Sequence, residues 1–445
     1  MLGIFFMKLR NDFADDPQGW WSAVRLVCDY LDAPGKADDF LRRAQSQHST
    51  LEAKVCQSLF LGVLRHASLL DSLINDSVSK KPRRLLDGVL RVAGFQLIDA
   101  IHIGRPVAPV IHYAVDRVKR KMSRPESSLV NAVLRRWQEP IEATRERAQA
   151  GEVDAMARFY SHPRWLVKRW VDRWGEAGVL RLLDFNQRPA PVFVRVFREP
   201  DRGLSEGFEA TDIVGVYRHI SSDWSEVLKL LERGWAIIQD PATRLAIEIL
   251  DPQPGETVLD LCSAPGGKAI TVAAAVGPEG RVYTIDLPRE RLGPRFHQWE
   301  VNAGRALHRN VAVFEADLLE VSDQALKKAQ YPLAVDKVML DVPCSNTGVL
   351  NRRPDARYRL KKGDPDAMVK IQSQLLSRAA QFVAAGGRLV YSTCSLEPEE
   401  NEGVVGAFLE SDLGSAFRLE IAKESWPHRD GFDGAAVFGL RRSKV

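Results

Sequence analysis

From residue 18 to 138 apolar side chains recur at helical spacing. Val55, Leu59, Phe60, Val63 and Leu64 share one face of a helix predicted over 51–74. Leu85, Val89, Leu90, Val92 and Ala93 repeat the pattern, as do Val107, Val110, Ile111, Ala114, Val115 and Val118. A further helix is expected from about Ser127 through Leu134, so 1–140 reads as an all-α domain. The texture changes after a polar stretch at 139–153. A helix through Val171 and Trp174 leads to a strand at 192–196, and 141–232 reads as a linker and a small α+β domain. From Gly234 strands and helices alternate. Strands are predicted at 258–261, 282–286, 311–315, 335–340 and 387–391, and helices at 268–275, 289–303 and 366–384. That alternation predicts a Rossmann-like α/β domain over 233–445, with a parallel sheet covered by helices on both faces. Ligands on such a sheet bind at the carboxyl ends of the strands.

Composition narrows this only a little. A length of 445 residues suits two or three domains, and 62 basic against 58 acidic residues leave a net charge of +4. Five cysteines with no CxxC pair argue against a disulfide module or zinc ribbon, so reduced thiols and no metal are expected. No apolar stretch is long enough to span a membrane. The apolar opening from Met1 to Met7 is too short for a secretory core, and Met7 could equally begin the protein. A cytoplasmic location follows as the expectation.

Charge becomes informative where it clusters. Lys80, Lys81, Arg83 and Arg84 form one group; Arg117, Lys119, Arg120, Lys121 and Arg124 form a second; Arg135 and Arg136 form a third. One such run alone reads as a solvated helix face. Three within a single helical domain point to a surface that binds RNA phosphates.

The chemistry lies at the strand ends. The first predicted strand runs into Cys262-Ser263-Ala264-Pro265-Gly266-Gly267-Lys268, a glycine turn ahead of a helix. It is neither G-x-G-x-x-G nor a P-loop, which disfavours nicotinamide and ATP. Asp286 ends the second strand, Asp317 follows the third and Asp341 ends the fourth. An acid at the second strand end suits a ribose diol, and one after the third can accept from an adenine amino group. Three neighbouring acids repel, and a cationic adenosine such as S-adenosylmethionine would offset that. Cys344 and Cys394 follow the fourth and fifth strands, so neighbouring strands would bring both thiols to one edge. Cys28 and Cys56 read as core cysteines instead. Paired thiols suit methylation at C5 of cytosine, because a thiolate added to C6 makes C5 nucleophilic. These residues alone do not say which thiol attacks.

The segments around Asp260–Lys268, Asp341–Ser345 and Ser392–Ser395 resemble the defining motifs of the RNA 5-methylcytosine methyltransferases of the NOL/NOP/Sun family. The basic helical domain ending at Arg136 resembles the NusB-like domain fused to a bacterial branch that methylates 16S rRNA. The stretches Tyr160-Ser161-His162-Pro163 and Gly234 to Pro241 are similar to family signatures as well. The resemblance implies a class I methyltransferase sheet, S-adenosylmethionine as cofactor and RNA, in particular 16S rRNA, as partner. It implies that Cys262 to Lys268 line the cofactor pocket, Asp286 holds the ribose and Asp317 the adenine. Asp341 would lie between cofactor and cytosine, Cys394 would be the nucleophile, and Cys344 would assist release. This chain departs from the family pattern at Ser263, at Ala269, in the Asn351–Asp355 run and around Asp430–Ala435. The alternatives are the same chemistry on another RNA, such as tRNA, or a non-catalytic NusB-like RNA-binding factor.

Overall fold

A computed structural model describes residues 17–45, 50–305 and 310–444. The Met1–Met7 opening lies outside them. The chain forms two compact units. One contains the residues up to Pro189 together with Leu350–Lys362; the other contains Ala190–Val349 with the residues from Gly363 onward.

The first unit is helical. Arg84–His102 is its central helix, and Leu86, Val89, Leu90, Val92, Ala93, Leu97 and Ile98 are all buried. Pro17–Asp32, Thr50–Arg65, Val107–Lys121 and Arg124–Arg136 are further helices of this unit. Ser123 caps the last of these with a reciprocal box: its Oγ accepts from Glu126 N, and Glu126 Oε2 accepts from Ser123 N at 3.0 Å. The expected single helix over 51–74 is broken at His66 into Thr50–Arg65 and Ala67–Ser77. The carbonyls that would continue it are taken. Leu64 O accepts from Tyr358 OH at 2.6 Å and Arg65 O from Arg357 Nη1 at 3.2 Å. Leu69 N, the donor Arg65 O would have used, turns to Ser161 Oγ. The residues after 140 also differ from the linker-and-α+β expectation. Gln138–Gln149, Val153–Phe159, Arg164–Trp174 and Glu176–Gln187 are helices of this same unit.

The second unit holds two sheets. The smaller has order β2-β3-β1-β4, all antiparallel, built from β1 Val192–Val196, β2 Phe208–Ala210, β3 Val216–His219 and β4 Ala236–Ile238. A border at 232 would therefore cut this sheet, since β4 lies beyond it. The larger contains β5 Thr257–Leu261, β6 Arg281–Asp286, β7 Val311–Glu315, β8 Val335–Asp341, β9 Val383–Thr393, β10 Phe417–Ser425 and β11 Ala435–Arg442. Its order is β10-β11-β9-β8-β5-β6-β7. Strands β5 to β9 are parallel, as expected, whereas β11 and β10 extend the sheet antiparallel beyond β9. The chain winds outward from β5 through β6 to β7, then returns with β8 to the other side of β5. That reversal opens a crevice where β5 and β8 end. Apolar layers cover both faces, one including Leu259, Leu340 and Tyr391, the other Val258, Met339 and Val390. Among the described residues no helix is long and apolar enough to cross a membrane.

Candidate active site

The turn after β5 enters the crevice. Gly266 sits at φ +87°, where a side chain would be strained, and an added Cβ would lie 3.1 Å from the Trp299 ring. Helix Pro294–Arg305 holds the turn from outside. Trp299 Nε1 donates to Ser263 Oγ at 3.3 Å, Asn302 Nδ2 to Pro265 O at 2.9 Å, and Arg295 to Ala264 O. Helix Gly267–Val276 then begins, carrying Lys268 in its first turn.

The acids at the strand ends are treated differently. Asp286 accepts from the N–H groups of Ala264 and Leu287 at 2.6 and 2.7 Å, and burial pushes it above the usual carboxylate range. Asp317 pairs with Arg291 at 2.7 Å and accepts from Leu319 N. Asp341 pairs with Lys268 Nζ at 2.6 Å and accepts from Ser392 Oγ at 2.8 Å. Asp317 and Asp341 are thus each met by a cation of this chain, whereas Asp286 is met by backbone N–H groups. Asp260, inside β5, is the remaining acid. It is fully buried, and among the described residues neither carboxylate oxygen has a hydrogen-bond partner. Burial, with Asp341 nearby, raises its pKa well above the ordinary value.

Strands β8 and β9 are neighbours, and their following loops bring Cys344 Sγ and Cys394 Sγ to 3.1 Å. The hydrogen bond with Cys394, together with burial, keeps the Cys344 thiol far above its usual pKa, so it holds its proton. Cys394 donates to Asn346 Oδ1 at 3.4 Å and lines a cavity with Asp240, Thr243, Lys268, Asp341 and Asp433. Burial alone would lower Lys268; the Asp341 carboxylate overrides it and holds the ammonium above its normal value. The cavity wall also includes Gly434 and Ala435, from the C-terminal segment that departs from the family pattern. Cys262, at φ +62°, packs against the core beneath the sheet, and burial raises its thiol strongly. Cys28 and Cys56 lie in the helical unit, their thiols pushed up by burial to about 11 and about 12.

Sequence reasoning passed over Ser392 and Gln372 beside the thiols, Trp299 and Arg295 over the glycine turn, and the buried Glu400 and Arg357. Only the position of Ser392 beside Cys394 carried any signal.

The basic groups lie on the helical unit. Lys80, Lys81, Arg83, Lys119, Arg120, Lys121, Arg135 and Arg136 are exposed, while Arg84 is half-buried. Several already have partners: Arg83 with Glu126, Arg84 with Asp32, Arg120 with Asp116, and Arg135 with Asn131. Arg117 does not belong to the surface; it is buried over the Trp20 ring.

The sheet order, the glycine turn and the strand-end acids define a Rossmann-like methyltransferase, in a chain that also carries an all-helical NusB-like region. Residues 247–435 match the family model 16S rRNA methyltransferase RsmB/F, and residues 23–139 match the NusB family. A probable ribosomal RNA small subunit methyltransferase B of Synechocystis sp. is 31% identical, covering 84% of each chain. A ribosomal RNA small subunit methyltransferase B of Escherichia coli is 31% identical over 93% of this chain and 94% of its own. The crystal structure of PH0851 shares the fold at TM-score 0.72 and 22% identity, covering 96% of this chain and 99% of that one. NSun6 from Pyrococcus horikoshii with SFG follows at TM-score 0.54 and 17% identity, covering 64% and 99%. The chain belongs to the RsmB/F family of RNA methyltransferases.

Proposed function

We propose that this enzyme transfers a methyl group from S-adenosylmethionine to C5 of a cytosine in 16S rRNA, through a covalent bond between Cys394 and C6. The observation that carries the reading is the pair of thiols 3.1 Å apart, with Cys394 on the wall of a cavity that also holds Lys268 and Asp341. The rRNA target rests on the relatives' names and their length of match.

The crevice suits the cofactor. Asp286, at the end of β6, accepts one N–H at each oxygen and keeps further lone pairs, which suits a ligand that brings hydroxyl donors. Asp286 would hold the ribose, Asp317 the adenine end, and Cys262 to Lys268 the rest. Bound there, S-adenosylmethionine supplies an electrophilic methyl group.

The protein's own residues do the rest. The target base must leave its stack to enter the cavity. Asp341, steadied by Lys268 and Ser392, accepts from the ring's amino group, and from N3 once that nitrogen takes up a proton as the thiolate adds. Lys268 places its ammonium on the wall of the same cavity as the Cys394 sulfur. The Cys394 sulfur adds to C6, and the ring electrons become available at C5. Once C5 is methylated, a water molecule takes the C5 proton, the C–H electrons restore the C5–C6 double bond, and the Cys394–C6 bond breaks with its electron pair leaving on sulfur. Cys344, which keeps its proton, offers the departing sulfur a hydrogen bond and so favours exit. Lys119, Arg120, Lys121 and the other exposed cations supply RNA grip.

Two cysteine variants test the order of steps. Cys394→Ala should yield neither product nor adduct, since entry to the covalent state is blocked. Cys344→Ala should accumulate a protein–RNA adduct that survives denaturing electrophoresis, since exit is blocked. An adduct from Cys394→Ala alone inverts the roles, and normal methylation by both variants ends the covalent mechanism. Bisulfite sequencing of rRNA and tRNA from a deletion strain identifies the RNA that loses its 5-methylcytosine.

A further inference from the structure

We propose that Glu400 is a positioning residue that sets the spacing of the two thiols. The proposal rests on the covalent reading above and adds a residue which that reading leaves out. Glu400 is fully buried in a single π-helical turn, Glu399–Gly403, six residues after Cys394. Such turns often mark functional sites. Its Oε2 accepts from Ser345 N and from Gln372 Nε2, both at 2.9 Å. Its Oε1 accepts from Ser395 Oγ at 2.7 Å.

Ser345 follows Cys344, and Ser395 follows Cys394. One carboxylate therefore ties together the residues next to both sulfurs. The neighbours complete the grip. Gln372 Nε2 also donates to Pro343 O, on the other side of Cys344. Asn401, next in the turn, accepts from Thr393 Oγ1 at 2.6 Å and donates to Ser395 O at 3.0 Å, which fixes both flanks of Cys394. Tyr391 OH donates to Glu400 O and fastens the turn to β9. Without the carboxylate, the Ser345 N–H and the Gln372 amide lose a shared acceptor in a dry interior, and the two loops lose their common link. A thiol displaced by about 1 Å is expected to cost roughly 10²-fold in rate.

The test uses the full-length enzyme with Glu400→Ala and Glu400→Gln. Diamide oxidation, without RNA, measures sulfur proximity directly. Diamide takes up the two thiol hydrogens and two electrons, becoming the hydrazine as the Cys344–Cys394 bond forms. Peptide mass analysis reports the rate. Glu400→Ala should lose roughly 10²-fold in kcat, with KM for RNA and affinity for S-adenosylmethionine unchanged, and should form the disulfide much more slowly. Glu400→Gln should recover most of both, because its amide oxygen still accepts from Ser345 N–H. If the alanine variant does not fold, Ser395→Ala, which removes the Oε1 contact together with the Oγ contacts to Ser345 Oγ, Thr347 Oγ1 and Glu397 N, should lower both readings. A disulfide rate equal to wild type in the folded variants overturns the proposal, whatever happens to kcat. Failure of the covalent reading would appear separately, as normal turnover in Cys394→Ala, and the diamide rate would still judge Glu400.

Discussion

Arg357 in the helical unit and Asp260 in the catalytic unit are both fully buried charged side chains, and they are completed in different ways. Among the described residues Arg357 has no carboxylate partner. Its Nη atoms donate instead to the carbonyls of Arg65, Tyr160, Asn186 and Leu350 and to Gln187 Oε1. Burial lowers its pKa to about 10, which leaves it cationic at neutral pH. Asp260 has no hydrogen-bond partner at either oxygen. One polar centre is held at its Nη atoms by four backbone carbonyls and Gln187, with its Nε left over, and it fastens the break at His66, the Tyr160–His162 turn and the Leu350–Lys362 segment into one unit. The other lies wholly inside β5 with no donor at its oxygens among the described residues, and burial raises its pKa instead. A buried ionisable group is thus accommodated either by hydrogen bonds to its charged form or by a shift toward its neutral form.

The sharpest way to break that contrast is Arg357→Ala. It leaves several buried carbonyls without donors, and the helical unit should lose about 3–5 kcal/mol whether or not cofactor is present. Denaturant melts followed by hydrogen exchange in the Arg84–His102 helix would read it, and a loss under about 1 kcal/mol would remove Arg357 from the scaffold. Asp286→Ala should act on both terms. The free protein loses about 1–3 kcal/mol as the Ala264 and Leu287 N–H groups lose their acceptor, and S-adenosylmethionine binding weakens by about 1.5–3 kcal/mol more as charge-assisted hydrogen bonds are lost. Calorimetry with unchanged affinity would take Asp286 out of the site.

Acid should separate the two units. Burial holds both His162 and His66 well below their usual pKa, His66 at about 3, so the unfolded chain takes up their protons first. Helical-unit stability should therefore be full above about pH 6.5 and fall by up to about 1.4 kcal/mol per pH unit for each of the two histidines below it. Asp260 is shifted upward, so the folded form takes up its proton first, and falling pH relieves the cost of its burial. Hydrogen exchange between pH 7.5 and 5.5 should show loosening in the helical unit alone, and His162→Gln should reduce it by about half, His66 carrying the rest. Equal loosening in both units, untouched by His162→Gln, would refute the assignment.

The smallest effect concerns the surface. Replacing Lys119, Arg120 and Lys121 with Ala should lower the salt dependence of RNA binding by about 0.7–0.9 in log–log slope per lost phosphate contact. Arg120's exposed pair with Asp116 is too weak to withhold it from a phosphate. An unchanged slope would return the group to ordinary solvated charge.

The parallel strands were legible because each is a short apolar run ending in a residue with chemistry, such as Asp286, Asp341 or Cys394. The expected helix over 289–303 survives only with a break at Gly293, whose φ of +56° separates Arg289–Leu292 from Pro294–Arg305. What stayed hidden is mostly buried polarity. Arg65, Arg91, Arg117 and Arg357 look in sequence like the surface arginines around them, and only long-range carbonyls, carboxylates and aromatic rings reveal them as interior. Glu400 sits in an acidic stretch that reads as a solvated turn. Its three donors come from segments 5 to 55 residues away in sequence. The antiparallel β10 and β11 announce no chemistry of their own, although Ala435 at the start of β11 reaches the cavity wall.

The order of synthesis gives Leu350–Lys362 a further consequence. A ribosome delivers the chain from its N-terminus, and the carbonyls of Arg65, Tyr160 and Asn186 emerge long before the guanidinium that satisfies them. At ~5–20 residues per second, roughly 10–35 s separate residue 189 from residue 362. Through that interval the nascent helices lack their plug, a natural window for chaperones. A fragment ending at Pro189 would lack it permanently. The place where this gene can be cut into independently folding pieces is therefore decided by an arginine encoded far downstream of the apparent linker.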